Sequence, residues 1–342
     1  MNLADSTASM SVVIPTLGRS PHLRGLLERL QRQVTPFSFH VLVVANVPSQ
    51  ALRKLVNSMG GDRTGTQRNI QRRFEYLETG RLGVNLARNK GLERAQGSVV
   101  LFLDDDTILE SDSFLANHYD RHVMFPAAAA VGGPYQLAAR HSFWDQAYHD
   151  VANEWLQRHQ RGHHRTTQLL GGNLSLKRDV ITKHGWSFDD RITFGGAESG
   201  LCQRIALAGY ELLYFDDLAI GHAPEMTRLS FCRKAFLQGA GARWRSESIP
   251  PLNVRYVNEL KPIGAASSRK ATRTHRLYAA CFNYGWWSSP YTRNAKPKLS
   301  TTSLLIFMLR QIRFFDHLRR QHRALYTALR SAWLNRDSAS VG

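Results

Sequence analysis

Apolar and polar positions follow two alternating rhythms over the first two thirds of the chain. Ser11–Ile14, His40–Ala45 and Ser98–Leu103 are short continuous runs rich in Val, Leu and Ile, as expected of strands buried on both faces. Arg73–Leu77 alternates and reads as a further strand. Between these runs the period changes to that of a helix. Pro21–Gln33 puts Leu23, Leu26, Leu27 and Leu30 on one face. Gln50–Met59 reads as a second helix, and Asn85–Ala95 has helical composition ended by Gly97. Strands separated by helices imply right-handed β-α-β units, hence an α/β fold with a mostly parallel, Rossmann-like sheet flanked by helices.

The rhythm continues downstream. Asp112–Val123 is expected to be a helix and Ala128–Pro134 a strand. Phe143–Gln160 is aromatic and amphipathic, suited to wall a cleft. Arg161–Arg165 is basic without an apolar anchor, so a mobile loop is expected there. Leu169–Leu176 resumes the sheet. Glu198–Ala208 is a helix with Leu201, Ile205 and Ala208 at core spacing, and Gly209 ends it. Glu211–Phe215 and Leu218–Ile220 read as short strands leading to His222. Residues 1–10 read as a frayed tail and Gly60–Gly65 as a polar loop.

The character changes near residue 226. Arg228–Ser246 reads as a helix and the proline-bearing Ile249–Leu252 as a hinge. Residues 303–334 plot as a long amphipathic helix. Leu304, Phe307, Met308, Phe314, Phe315, Leu318, Leu325, Leu329 and Trp333 lie on one face, with Arg310, Arg313, Arg320, Arg323 and Arg330 away from it. That pattern suits an interfacial membrane helix. It equally suits a helix packed on the α/β domain or at an oligomer contact. The expected organisation is a tail over 1–10, an α/β domain over 11–225 and a helical basic region over 226–342.

Charge sharpens this division. Residues 1–223 hold 24 Lys+Arg against 22 Asp+Glu, whereas residues 224–342 hold 21 against 5. Nearly all of the net +18 therefore sits in the last third. Such a block seeks an anionic membrane surface, nucleic acid or a phosphate-bearing acceptor, unless it merely solubilises. Zinc-finger spacing and RNA-binding aromatic signatures are missing, which argues against nucleic acid. The 3 cysteines lack a disulfide framework, and the polar N-terminus lacks a secretory pattern. A cytoplasmic protein is expected, possible binding to the inner face of the cell membrane included. The run Leu304–Leu309 is too short to span a bilayer, which takes about 20 residues.

The candidate chemistry gathers at Asp104-Asp105-Asp106, at the carboxyl end of the run Ser98–Leu103. In open α/β sheets ligands bind beyond those ends. Three adjacent carboxylates repel one another unless a cation sits among them, and Mg²⁺ or Mn²⁺ takes such oxygen ligands. A solvated acidic turn capping the next helix gives the same sequence.

Five stretches occur together and in order: SVVIPTLGR (11–19), GVNLARNKGL (83–92), LFLDDD (101–106), GGNLSLKRDV (171–180) and FDDRITFGGAESGLCQRIALAGYEL (188–212). Together they resemble family 2 glycosyltransferases of the GT-A fold. The resemblance implies a nucleotide-diphosphate sugar as donor, a Mn²⁺ or Mg²⁺ cofactor and inversion at the anomeric carbon. Asp104 and Asp105 then fall in the Asp-x-Asp motif at the nucleotide or sugar, with Asp104, Asp106 and His222 as metal ligands. Pro15, Thr16 and Arg19 follow the first strand where the family wraps the base. Arg88 matches an arginine near the nucleotide, and Gly172 and Asn173 an element under the donor sugar. Glu198 falls where the family has its base, in place of the usual aspartate. A second departure is Val44-Ala45-Asn46, where Val-Asp is usual, so uridine specificity is in doubt and Asn46 is the substitute reader of the base. Trp186 is a candidate for stacking on a sugar and equally for the core. Gln238…Arg243-Trp244 has the wrong spacing for the motif of processive synthases. The acceptor expected is a lipid-linked or cell-envelope glycan, and the sequence leaves the oligomeric state open. A GT-A-like nucleotidyltransferase fits less well, since Leu17-Gly18-Arg19 is too short and glycine-poor for its loop. A non-catalytic homologue acting as a basic binding protein is the remaining alternative.

Overall fold

The computed structural model describes residues 10–59, 70–192, 196–249 and 272–289. Met10–Thr16 (β1), Phe39–Ala45 (β2), Arg72–Glu78 (β3) and Val99–Leu103 (β4) are neighbouring parallel strands in the order β3-β2-β1-β4. Strands β1, β2 and β4 are buried at every position, which is why their sequences are unbroken apolar runs. Strand β3 lies at the sheet edge and buries only Phe74 fully, so its sequence alternates.

Helices Leu23–Gln31 (α1), Gln50–Met59 (α2) and Val84–Arg94 (α3) connect these strands. Helix α1 buries the four leucines its periodicity selects. Helix α3 behaves differently: it buries Asn85, Ala87, Arg88 and Gly91. A Cβ on Gly91 would collide with the Val13 side chain, so glycine sets how closely α3 approaches β1.

The chain then forms Thr107–Ile108 (β5), Phe114–Met124 (α4), Ala128–Gly132 (β6), Tyr135–Leu137 (β7), Phe143–His159 (α5) and Arg165–Thr166 (β8). Asn173–Lys177 (β9), Arg178–Lys183 (α6), Ala197–Leu207 (α7), Glu211–Tyr214 (β10) and Ile220–His222 (β11) follow. The main sheet continues β4-β9-β6-β10-β8, and β5-β11-β7 form a small second sheet over the strand ends. Strands β9 and β8 run against their neighbours, while β6 and β10 are parallel. The sheet is therefore mostly parallel with helices packed on it.

Two local expectations are corrected. Leu218–Ile220 is not a strand: Asp216–Leu218 is a single 3₁₀ turn, and the strand begins at Ile220. The Arg161–Arg165 segment is not a loose loop. The Arg161 N–H donates to Arg165 O and the Arg165 N–H to Gly162 O, while His164 stacks on Phe215 with centroids 4.4 Å apart. That aromatic contact is the anchor the local sequence does not display.

The last elements, Arg228–Ser248 (α8) and Arg273–Trp287 (α9), pack with α5 around a second core. It holds Tyr148, Val151, Phe231, Cys232, Leu277 and Cys281. A Cβ at Gly239 would strike Phe282 O, and one at Gly285 would strike Phe236 O, so α8 and α9 touch backbone to backbone. Helix α5 opens with a capping box, Ser142 and Asp145, and Asp145 also accepts from the Met226 N–H at 2.6 Å. That bond ties the second core to the segment entering α8. The expected loop over 60–65, nearly all of the hinge over 249–252 and the helix over 303–334 lie outside the described residues. So does the expected tail, except Met10, the first residue of β1.

Candidate active site

The carboxyl ends of β1 and β4, the small sheet and helices α5, α7, α8 and α9 enclose a cleft of about 950 Å³. Its lining includes Thr16, Arg88, Asp104, Asp106, Glu198 and His222. Residues separated by as many as 200 positions thus meet at the edge predicted for an α/β sheet.

The three aspartates occupy different environments. Asp104 Oδ1 accepts from Arg88 Nη2 at 3.0 Å and Oδ2 from the Tyr135 hydroxyl at 3.3 Å. Burial works against its charge, but the Arg88 guanidinium above all, with Lys234, outweighs burial and holds its pKa below the usual value. Asp105 is turned to β1, where its carboxylate accepts from Thr16 Oγ1 and its backbone oxygen from Ser20 Oγ. Burial, relieved in part by Thr16, raises its pKa to about 6. Asp106 is pushed to about 7, first by burial and then by the Asp104 charge. Its Oδ2 lies 3.5 Å from His222 Nε2, and its buried Oδ1 finds no hydrogen-bond partner among the described residues.

His222 is stacked on Tyr135 with centroids 4.3 Å apart, and burial followed by the Lys234 charge drops its pKa to about 3. It is thus neutral, the form in which imidazole ligates a metal. Asp104, Asp106 and His222 each offer an atom within 4.8 Å of the others. Two carboxylates, a neutral imidazole and an orphaned buried oxygen fit a hard divalent cation.

Arg88 joins this group to the candidate base. Its Nη1 is 3.8 Å from Glu198 Oε2, so one buried guanidinium lies between Asp104 and Glu198. Space for it depends on Gly171, where a Cβ would press on the guanidinium nitrogens. At Gly172 a Cβ would collide with Asp104 and the Tyr135 hydroxyl, and the Gly172 N–H donates to that hydroxyl at 2.9 Å. The two glycines therefore serve the packing of Arg88, Asp104 and Tyr135. Glu198 stands in the first turn of α7, whose N-cap Gly196 has φ of 69°. The helix dipole there favours an anion.

Pro15, Thr16, Arg19 and Asn46 all line the cleft. The Asn46 amide nitrogen donates to Gly83 O at 3.0 Å, to Thr79 Oγ1 at 3.2 Å and to Arg81 O at 3.4 Å. Two backbone carbonyls can only accept, which fixes the orientation of the amide and leaves its oxygen as what Asn46 can offer a base. Asn173 is not brought to the cleft. It is fully buried, with Nδ2 donating to Leu218 O at 2.7 Å and Oδ1 3.1 Å from His118 Nε2. Antiparallel pairing sets Asn173 beside Leu103, at the cleft end of β4, but its side chain is turned inward to Leu218 and His118. Trp186 is likewise absent from the cleft lining and stacks on His184 with centroids 4.2 Å apart. The Trp244 indole N–H donates to Asp189 at 2.8 Å instead of joining Gln238 in the cleft.

The aromatic helix expected over Phe143–Gln160 does wall the cleft, through Tyr148 and Trp155, whereas sequence reasoning missed Tyr135, Lys234 and Arg245, which also line it. Each sits on a helix or small strand without a local motif. It also missed Asn85 and Asn89, one helical turn apart on α3. Asn85 donates to Asp189 O and Ile192 O, and Asn89 exchanges bonds of 2.8 and 2.9 Å with Phe188. The two amides strap down the segment that leads towards α7 and Glu198.

The sequence matches the model for Glycosyl transferase family 2 over residues 11–182 and that for Glycosyl transferase family group 2 over residues 99–310. It is 32% identical over 111 residues to a glucosyl-dolichyl phosphate glucuronosyltransferase of Haloferax volcanii, covering 30% of this chain and 34% of that protein. It is 26% identical over 128 residues to the glycosyltransferase GlyA of Streptococcus pneumoniae serotype 4, covering 37% and 17%. The match thus spans about a third or less of either relative. Among solved structures, the mannosyltransferase PcManGT of Pyrobaculum calidifontis, in complex with GDP-Man and Mn²⁺, superposes with a TM-score of 0.57 at 16% identity. That superposition covers 87% of this chain and 79% of the other, and it establishes a shared fold. With that family model spanning half of its length, the chain belongs to glycosyl transferase family 2.

Proposed function

We propose that the protein is a metal-dependent, inverting glycosyltransferase that moves a sugar from a nucleoside-diphosphate donor to an acceptor hydroxyl. The observation that carries this reading is Arg88, which ties the Asp104–Asp106–His222 cluster to Glu198 inside one cleft. Asp104, Asp106 and His222 would hold Mn²⁺ or Mg²⁺. A divalent cation there supplies Lewis-acid neutralisation of the departing diphosphate.

The chain's own residues do the rest. Thr16 and the segment after it, with Asn46, form the side of the cleft suited to the nucleotide. Glu198 accepts the proton of the acceptor hydroxyl as that oxygen attacks the anomeric carbon, and displacement from that side inverts the configuration. Arg88, between them, fixes the distance of Glu198 from Asp104. The aromatic wall of Tyr148, Trp155, Tyr278 and Phe282 suits an acceptor that presents apolar sugar faces. The glucosyl-dolichyl phosphate named for one relative supports a lipid-linked acceptor, and the basic last third suits an anionic membrane face. No helix among the described residues is long and apolar enough to cross a membrane.

Thermal unfolding with a panel of nucleoside diphosphates, each with and without Mn²⁺, tests the reading. One diphosphate should stabilise the protein only with metal present. A ligand at 100 times its dissociation constant adds about 2.7 kcal/mol. Asp106→Ala should abolish that shift. If no diphosphate stabilises the wild type, the transferase reading fails.

A further inference from the structure

Helix α8 presents Ser230, Arg233, Lys234, Leu237 and Gln238 to the cleft, positions three or four apart that share one face. Lys234 stands out among them. Its Nζ lies 3.9 Å from the centroid of the Tyr148 ring, and that ring lies 6.4 Å from the His222 imidazole. Lys234 is thus moored, half-buried, on the wall facing Asp104 and Asp106. A cation in this position faces carboxylates that themselves suit a second cation. The ligand that suits both walls is an anion carrying more than one charge, bridging the metal site on one side and the ammonium on the other.

Resting on the transferase reading, we propose that Lys234 is a catalytic residue of the chain, contacting the distal phosphate of the donor's diphosphate and stabilising its charge as the sugar leaves. Tyr148 is its positioning residue: the ring face holds the ammonium by a cation–π contact and prevents it from collapsing onto Asp106. The step balances without a further reactant. The sugar–oxygen bond breaks with its electron pair on the phosphate oxygen, the acceptor oxygen forms the new bond, and its proton passes to Glu198. A lysine suits this role, being a compact charge that can follow the phosphate as it gains charge. The site also assigns a use to part of the basic C-terminal region, which composition alone connects only to distant polyanions.

The test measures Mn²⁺-dependent binding of the stabilising nucleoside diphosphate and of the corresponding monophosphate to wild type, Lys234→Met and Lys234→Arg, by titration calorimetry. Losing a charge-assisted hydrogen bond should weaken the diphosphate roughly ten- to a hundredfold in Lys234→Met. Monophosphate affinity should change by less than about twofold, and Lys234→Arg should recover most of the loss. Unliganded melting of each variant reports whether it folds. Equal losses for both nucleotides would mean that the lysine merely balances the aspartates, and the proposal is then wrong. Unchanged diphosphate affinity in Lys234→Met overturns it as well. A wild type that binds neither nucleotide defeats the transferase reading itself, and this inference with it.

Discussion

The parallel half of the sheet and the helical layer of α5, α8 and α9 contribute to the same cleft by opposite means. In the first, each functional side chain follows directly on a strand: Thr16 ends β1, Asn46 comes after β2, and Asp104 to Asp106 come after β4. Position along the chain and position in space coincide there, because strand ends are where an α/β sheet opens. In the second, Tyr148, Lys234, Gln238 and Tyr278 reach the cleft from the middles of helices that also build the second core, to which both tyrosines belong. Such residues carry no local signature, since a helix face serving a site has the same period as one serving a core. The strand ends set where the cleft opens, and the helix faces set the chemistry of its walls.

The largest expected effect comes from cutting the link between the two carboxylates of the first region. Arg88→Met should leave Asp104 and Glu198 without the guanidinium that lies between them. Both are largely shielded from water, so the loss is that of a buried ion pair broken on one side, about 3 kcal/mol of stability or more. Activity should fall by at least a hundredfold, read as initial rate with donor and Mn²⁺ saturating. If stability fell but the rate per folded molecule did not, Arg88 would be structural only.

A change of similar kind in the second region should separate the two. Gly239→Ala puts a methyl group against Phe282 O, a backbone atom that cannot rotate away. Overpacking of this sort costs about 1–3 kcal/mol. Hydrogen exchange should localise the loosening to α8 and α9, while diphosphate-free Mn²⁺ binding at Asp104, Asp106 and His222 stays within about twofold. Loss of metal binding in step with helix opening would show that the layer completes the metal site, and the division drawn above would fail.

How much of this was legible in the sequence follows the same line. The runs at 11–14, 40–45 and 98–103, the four leucines of α1 and the acidic stretch after β4 are local patterns, and each is found in place. What was not legible depends on pairing between distant segments. Antiparallel pairing sets Asn173 beside Leu103 at the cleft end of β4, yet its amide is turned inward to Leu218 O and His118, and no feature of GGNLSLKRDV announces those distant partners. Likewise His164 is held by Phe215, 51 residues away, so the basic stretch around it looked unanchored. Trp186 has a sugar-stacking look only when its partners His184 and Tyr210 are ignored.

The interior that Asn173 joins gives the next prediction. His118 Nδ1 and His122 Nε2 both lie 2.9 Å from Ser175 Oγ, beneath the centre of the sheet. Burial above all lowers their pKa values, to about 4 and about 3. Groups depressed in the folded state bind fewer protons there than in the unfolded chain. Their contribution is therefore intact above the ordinary histidine value of about 6.5 and is lost as pH falls from there towards 4. Denaturant unfolding from pH 7 to 4.5 should show a fall of about 2–3 kcal/mol for each histidine of the pair. His122→Gln should flatten the slope and leave metal binding untouched. An unchanged slope would mean that both imidazoles stay neutral in the unfolded chain too, or reach water in the folded one.

The smallest effect on the catalytic domain should come from the arginines at 310, 313, 320, 323 and 330, which lie outside the described residues. If they serve an anionic membrane face, replacing all five by glutamine should reduce sedimentation with vesicles containing phosphatidylserine. Each such charge near the surface is worth about 1 kcal/mol at moderate salt. Binding of wild type should weaken steeply as salt rises, because the attraction is screened over about 10 Å at 0.1 M. Nucleotide binding should be the same in wild type and the five-fold variant, with or without vesicles. A matched fall in both measurements would instead place those arginines at the cleft with Lys234, and the basic region would be one extended contact for donor and acceptor phosphates. The comparison between motif-bearing strand ends and unmarked helix faces would then extend to the end of the chain.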